Sequence, residues 1–132
     1  MKTLNTVLEY FVRIDAVILI VLGLLFWTGN ADALIPVHML LGIALVIALW
    51  TLAALAAAAG VSLGLVVLAF VWGLVVPALG LRQTSLLVGS AHWIIQVLHL
   101  LVGLTAIALA QVLAQRTRRI LKTSPAHAEA AR

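Results

Sequence analysis

The sequence predicts an all-α integral membrane protein, a four-helix bundle built from two helical hairpins in tandem. The chain has 132 residues, of which 65% are hydrophobic and only 9% are charged, and its mean hydropathy is +1.26. A soluble globular domain averages about 45–50% apolar and about 25% charged residues, and a chain this short leaves much of its surface exposed. The composition therefore excludes a cytosolic enzyme, a nucleic-acid-binding module and a disordered chain.

Four apolar segments are long enough to cross a bilayer, which takes about 20 helical residues. Between Ala33 and Gln115 the only charged residue is Arg82, and no alternating strand pattern breaks the apolar runs. We expect one transmembrane domain over residues 1–122, followed by a short cytoplasmic tail over residues 123–132. The expected spans within this domain cover about residues 12–28, 36–59, 61–81 and 86–115.

A more polar turn precedes the first span. Thr6 and Glu9 have the spacing of a capping box, and Glu9 and Arg13 form a favourable i,i+4 pair. We therefore expect the first helix to begin as an amphipathic turn at the membrane interface. Asp15, near the inner end of this helix, is expected to pair with Arg13 or with water.

The breaks between the spans carry turn residues. A polar turn at residues 29–32 ends the first hairpin arm, and Pro36 suits the first turn of the second helix. Gly60 suits the position after the end of that helix and Ser62 the N-cap of the next, so these two helices are antiparallel neighbours.

The third break is longer and leaves the start of the fourth helix open. Ser85 and Ser90 are both suitable N-caps, which gives a helix that begins near Leu86 or near Ala91. We expect this helix to end near Gln115.

The positions of the basic residues, which give the chain its net charge of +4, indicate its orientation in a membrane. The first two connections carry no Lys or Arg, and the third carries only Arg82. The positive-inside rule therefore places both termini in the cytoplasm, with the protein in the cell membrane. A basic run at residues 116–119 also attracts anionic lipid headgroups, by about 1 kcal/mol per basic residue, although its first interpretation is a topology signal. The other basic residues near the two ends are Lys2, Arg13 and Lys122.

The two hairpins contain a short internal repeat. The segments 37–43 and 98–104 each hold a histidine, His38 or His99, followed four residues later by a glycine, Gly42 or Gly103. A repeat of this kind indicates two hairpins of the same sense, so that the two His-x-x-x-Gly helices run parallel.

Three of the four histidines lie inside predicted spans, and the fourth, His127, lies in the tail. An ionisable side chain in a bilayer is costly and usually faces the bundle interior. His92, Gln96 and His99 form one stripe on the fourth helix together with Gly103. Because His92 and His99 are about 10.5 Å apart along the axis, one small metal ion is not easily bound by both.

A ligand pair therefore needs a histidine from another helix, and His38 is the one available. One histidine from each of two facing helices is the arrangement that holds a haem iron from both sides, and the absence of cysteine excludes a thiolate site. A glycine one turn beyond each histidine removes a side chain that would strike the porphyrin. The alternative role of Gly42 and Gly103 is close helix packing.

The register of the fourth helix decides which histidine faces His38. With Ser90 as N-cap, His92 is nearly level with His38, whereas the repeat pairs His38 with His99 and extends the helix to about Leu121. We expect His38 and His99 to be the iron ligands. His92 then lies outward of the iron, where it can meet a propionate, a quinone headgroup or a substrate, and Arg82 is a propionate partner.

At these two His-x-x-x-Gly helices the sequence resembles one half of the haem A synthase family, whose members consist of two four-helix bundles with histidines on the second and fourth helices. The resemblance implies one b-type haem held by His38 and His99. The chain has no second bundle, no acidic residue near His38 within a helix and no cysteine between Gly29 and Ile35. The resemblance therefore implies haem binding and electron transfer rather than haem modification.

The sequence thus predicts a membrane b-type cytochrome that binds haem b, with a quinone as a second candidate ligand, and names no catalytic residue. Its expected partners are the lipid bilayer and a quinol or redox subunit, in a homo- or hetero-oligomer and without nucleic acid. Two alternatives remain. One is an accessory or assembly subunit whose histidines only bind neighbouring helices. The other is a haem-handling enzyme or sensor in which His92 completes or replaces the ligand set.

Overall fold

In the computed structural model, which describes residues 1–129 and the side chains of residues 1–123, the chain forms four α-helices. All four are long and apolar enough to cross a membrane, and the described residues contain no strand. The predicted all-α four-helix fold is therefore confirmed. The helices are α1 (Lys2–Trp27), α2 (Ile35–Ala58), α3 (Leu63–Arg82) and α4 (His92–Glu129).

Each helix packs against the next along the chain, and α4 returns to pack against α1. In addition, α2 and α4 contact each other across the centre of the bundle. The connections reverse the chain each time, so α2 and α4 run parallel. We call the end that holds the α1–α2 and α3–α4 connections the loop end. The other end, with the start of α1, the α2–α3 turn and the C-terminal part of α4, is the terminal end.

The core is made of leucines and of small residues. Leu49, Leu52 and Leu113 are fully buried, as is a set of alanines on α2, α3 and α4 that lets the backbones approach closely. These alanines are Ala53, Ala56, Ala69, Ala106, Ala110 and Ala114. The outer surface is apolar as well, with Leu63 72% exposed and Val88 78% exposed. So large an apolar surface suits lipid rather than water.

Two tryptophans join neighbouring helices through their indole N–H groups. Trp50 on α2 donates to the carbonyl oxygen of Phe70 on α3 at 3.2 Å, and Trp72 on α3 donates to that of Val102 on α4 at 2.9 Å. Gly73 makes room for the first of them, because a Cβ at this position would overlap Nε1 of Trp50. Both half-buried indoles therefore have their N–H donors satisfied within the protein.

The first two connections follow the predicted turn chemistry. Pro36 lies in the first turn of α2, where its missing N–H removes no helical hydrogen bond. Gly60 follows α2 with φ +88°, and the N–H of Val61 donates to the carbonyl oxygen of Ala56 at 2.9 Å, as in a Schellman motif. Ser62 is the N-cap residue of α3. The predictions for Pro36, Gly60 and Ser62 are confirmed.

The prediction of a capping box at Thr6 and Glu9 is wrong. The helix begins at Lys2 with Met1 as its N-cap residue, and the Thr6 hydroxyl lies inside the helix and donates to the carbonyl oxygen of Lys2 at 3.1 Å. The first turn forms because Asn5 anchors it: the Asn5 side-chain amide donates to the backbone carbonyl of Ala114 on α4 at 3.0 Å.

Of the two predicted starts of the fourth helix, the one near Ala91 is confirmed to within one residue and the one near Leu86 is wrong. Ser85 ends a short 3-10 turn at Gln83–Ser85, and α4 begins at His92. Leu87 and Gly89 have φ values of +46° and +100°, which no helix accommodates. At its other end α4 continues past Gln115, because the residues that follow are good helix formers.

Candidate functional site

The loop end brings together one histidine from each of the two central helices. His38 lies in the first turn of α2, and His99 lies two turns into α4. Their ring centroids are 6.3 Å apart and the ring planes are inclined by 47°. We call these two residues the histidine pair. They are neighbours because α2 and α4 run parallel and in contact. His99 lies farther from the start of its helix than His38 does, so the two rings are level when α4 begins beyond the start of α2.

Each ring of the histidine pair packs against a glycine of the preceding helix. A Cβ placed at Gly23 on α1 would lie 3.9 Å from Cε1 of His38, and one at Gly80 on α3 would lie 3.3 Å from Cε1 of His99. The edge of the Phe26 ring also faces His38, with centroids 5.4 Å apart. The two hairpins therefore repeat one pattern, in which the first helix supplies a glycine and the second a histidine.

Sequence reasoning missed the roles of Gly23 and Gly80. Gly80 lies inside α3, near its C-terminal end. The two connections differ in length, so the glycine and the histidine are 15 residues apart in one hairpin and 19 in the other. A search for segments of equal spacing cannot pair them. One sequence signal could have identified both glycines. Each lies near the C-terminal end of a helix, and the next helix along the chain carries a histidine.

The chain leaves the histidine pair without polar partners. Among the described residues, Nδ1 of His38 and Nδ1 of His99 are both buried and accept or donate no hydrogen bond. A neutral imidazole has one donor and one acceptor nitrogen, and a buried polar atom without a partner costs about 1–3 kcal/mol. Two such atoms side by side in an apolar bundle are costly unless a ligand engages the rings.

The separation of the rings suits two ligands on one metal ion. An imidazole nitrogen binds a first-row metal such as zinc at about 2.0–2.1 Å, so two imidazoles on opposite sides of one ion have ring centres roughly 6 Å apart. The observed centroid distance is 6.3 Å. No group of three or more His, Cys, Asp or Glu residues occurs in the described part of the chain. A metal ion between these two imidazoles would therefore need its remaining ligands from outside the described chain.

Gly42 and Gly103 face open space one turn beyond the histidines. A Cβ placed on either residue would meet no atom within 4 Å among the described residues. Neither glycine is therefore required for close packing between helices of this bundle. A side chain at either position would extend into this open space, on the helix face that also carries the histidine one turn earlier.

The remaining predicted site residues lie at the same end without contacting the pair. His92, the first residue of α4, has its Nδ1 3.1 Å from the carbonyl oxygen of Leu86, which fastens the α3–α4 connection. Arg82 is exposed at the end of α3, and Gln96 is half-buried on α4. Within the described chain, no hydrogen bond or ion pair joins His92, Arg82 or Gln96 to the histidine pair.

A second group of polar residues lies between α1 and α4 toward the terminal end. Glu9 is only 2% exposed, and its Oε1 accepts hydrogen bonds from Arg13 at 2.6 Å and from Arg118 at 2.8 Å. Gln111 accepts from Nε of Arg13 at 3.1 Å and donates to the backbone carbonyl of Glu9 at 3.4 Å. We call these four residues the charge cluster. The predicted pair of Glu9 and Arg13 is confirmed.

Two features of this region depart from the sequence analysis. Arg118 was expected to serve membrane topology and to attract lipid headgroups, whereas its guanidinium pairs with Glu9 inside the protein. The expected pair of Asp15 and Arg13 is wrong, because Arg13 is engaged by Glu9 and Gln111. Both carboxylate oxygens of Asp15 are buried without a hydrogen-bond partner among the described residues.

Comparison of the sequence with protein-family models, with curated proteins and with solved structures finds no match. The histidine pair supplies two imidazoles whose ring centroids are 6.3 Å apart, and Gly42 and Gly103 follow one turn later with open space around them.

Proposed function

We propose that the protein is a membrane b-type cytochrome, which holds one haem through His38 and His99 and transfers single electrons. The observation that supports this most strongly is the 6.3 Å between the centroids of two histidine rings on parallel helices in contact. Two axial imidazoles and a macrocycle that supplies the remaining ligands complete an iron site. The resemblance to one half of the haem A synthase family points the same way.

In this proposal the residues around the histidine pair divide into two groups. Gly23 and Gly80 let the rings pack against α1 and α3, which fixes their orientation from behind. Gly42 and Gly103 keep the adjoining face free for the macrocycle. Arg82, exposed at the same end of the bundle, is the proposed partner of a haem propionate.

A haem supplies a one-electron couple, and two histidine ligands leave no coordination position open for oxygen chemistry. Electron transfer is therefore the function that this ligand set favours, and a membrane quinol or a redox subunit is the proposed exchange partner. The basic residues are concentrated at the terminal end, which supports a cytoplasmic location for both termini in the cell membrane. The histidine pair would then lie in the outer half of the bilayer.

Absorption spectroscopy tests the proposal. The protein, produced with haem available and purified in detergent, is expected to show a low-spin spectrum that sharpens on reduction with dithionite. His38→Ala and His99→Ala should each abolish it. His127→Ala, which removes a histidine from the C-terminal segment, is the matched control and should leave the spectrum unchanged.

Two outcomes contradict the proposal. A purified protein that binds no haem and keeps its helical content after His38→Ala and His99→Ala indicates that the histidines serve only helix association. A spectrum lost on His92→Ala but kept in His99→Ala shows that His92 is the second ligand. Circular dichroism of each variant separates loss of haem from loss of the fold.

A further inference from the structure

The residues of the basic run 116–119 lie on different faces of α4. Arg118 points toward α1 and pairs with Glu9, and Thr117 is fully buried. Arg116 and Arg119 are exposed and three residues apart, so they lie on a common face of α4. Neither makes a hydrogen bond or an ion pair with any described residue, whereas Arg118 does.

These two arginines line a shallow cavity of about 280 Å³ at the terminal end, which is wide open to the surroundings. The opposite side of this arginine cavity is the α2–α3 turn, formed by Gly60, Val61 and Ser62. The cavity lining includes no acidic residue. Glu9, the acidic residue of the charge cluster, is already paired with Arg13 and Arg118. The arginine cavity therefore keeps two uncompensated positive charges.

The chemistry of the lining suits a phosphate group. Guanidinium groups bind phosphate oxygens through two parallel hydrogen bonds, and the cavity is several times larger than the volume of about 30 Å³ that one water molecule occupies. The hydroxyl of Ser62 is free to add a further hydrogen bond, because this N-cap residue makes none to the first turn of α3.

We propose that the arginine cavity binds the phosphate of an anionic ligand, and that this ligand is an anionic glycerophospholipid of the surrounding bilayer. Basic pockets between transmembrane helices are sites of this kind, and the cavity opens where the helices emerge from their apolar spans. It lies at the opposite end of the bundle from the histidine pair, so it is independent of the proposed haem site.

A neighbouring cavity supplies the control. It has a volume of about 150 Å³ and lies between α1 and α4, and its lining includes Lys2, Lys122 and Arg118. Arg118 is ion-paired with Glu9, so the two cations of this cavity that have no ion-pair partner among the described residues are both lysines. Replacing Lys2 and Lys122 therefore removes the same charge from the same end without changing the arginine cavity.

Native mass spectrometry of the full chain in detergent tests the proposal with phosphatidylglycerol, phosphatidylcholine and inorganic phosphate as probes. We expect one phosphatidylglycerol to bind in preference to phosphatidylcholine. In the R116Q/R119Q variant its affinity should fall roughly 30-fold, from about 1 kcal/mol per basic residue. The K2Q/K122Q variant should retain most of the affinity.

Each other outcome has a definite meaning. Equal losses in the two double variants, or equal binding of both lipids, contradict a site and indicate attraction by surface charge alone. Inorganic phosphate that displaces the lipid and binds as tightly by itself supports the phosphate site but overturns the lipid as its ligand. Melting temperatures of both variants close to that of the unchanged protein exclude misfolding as the cause.

Discussion

Four glycines lie beside the histidine pair, and they differ in what surrounds them. Gly23 and Gly80 contact the rings, so a side chain there would push against an imidazole. Gly42 and Gly103 contact nothing within 4 Å in the described chain. The first two therefore position the histidines, whereas the second two determine whether a ligand has room beside them. Substitutions at the two kinds of position should have different effects.

Gly103→Leu is expected to abolish haem binding while the helical bundle stays folded. A Cβ at this position meets no atom of the described chain within 4 Å, and leucine improves helix propensity by about 1 kcal/mol, but its side chain fills the space in which the macrocycle is proposed to lie. Haem content per protein, measured from the absorption spectrum, checks the first effect, and thermal unfolding in detergent checks the second. Gly64→Leu on α3 is the matched control, because Gly64 also faces open space.

A Gly103→Leu protein that retains its haem would show that the ligand, if present, does not lie against this face. A protein that unfolds would instead show that Gly103 has a packing role, against the open space seen around it. In either case the effect of Gly64→Leu separates the specific result from the general effect of adding a leucine to a helix.

At the scale of helices, α1 and α4 are held together by contacts that only tertiary structure creates. Glu9 and Arg118 are 109 residues apart in sequence, and so are Asn5 and Ala114. A buried carboxylate is costly unless it is paired and hydrogen-bonded, and Glu9 obtains its second guanidinium from α4 alone. The charge cluster therefore fixes the register between the first and last helices.

Arg118→Gln is expected to destabilise the protein by about 1–2 kcal/mol. The substitution leaves the buried Glu9 carboxylate with Arg13 as its one guanidinium partner, and the value allows for solvent screening of an arginine side chain that is 40% exposed. The unfolding midpoint in detergent measures the change. Arg119→Gln, which removes the same charge one residue away, should change stability by less than about 0.5 kcal/mol.

Equal effects of Arg118→Gln and Arg119→Gln would contradict this role for the charge cluster, because they would show that only the net charge of the segment matters. A larger effect of Arg119→Gln would place the stabilising contact in the arginine cavity instead.

The features that local sequence could predict are those that depend on local chemistry. The number of helices follows from apolar runs, and the turn at Gly60 follows from a glycine with positive φ. The start of α1 could not be predicted, because the contact of Asn5 with Ala114 outweighs the capping preference of Thr6. The role of Gly80 could not be predicted either, since it depends on the position of His99 on another helix.

Across the whole molecule, polar chemistry is divided between the two ends of an apolar bundle. The loop end holds the histidine pair, and the terminal end holds the charge cluster and the arginine cavity. Between them the buried hydrophobic core consists of leucine, valine and alanine, and the apolar outer surface suits lipid. An apolar core therefore separates the two ends in the described chain, and Asp15 on α1 is a buried polar residue outside both groups.

The distribution of basic residues predicts that the terminal end faces the cytoplasm. The chain contains no cysteine, so single cysteines introduced at exposed positions report their side of the membrane without further substitution. Asn30→Cys in the α1–α2 connection should react with a membrane-impermeant maleimide in intact cells, whereas Thr123→Cys should react only after the cells are opened. Both residues are exposed in the bundle, so each should react fully in detergent. The opposite labelling pattern would reverse the orientation and place the histidine pair in the cytoplasmic half of the bilayer, where its electron-exchange partner would have to be sought instead.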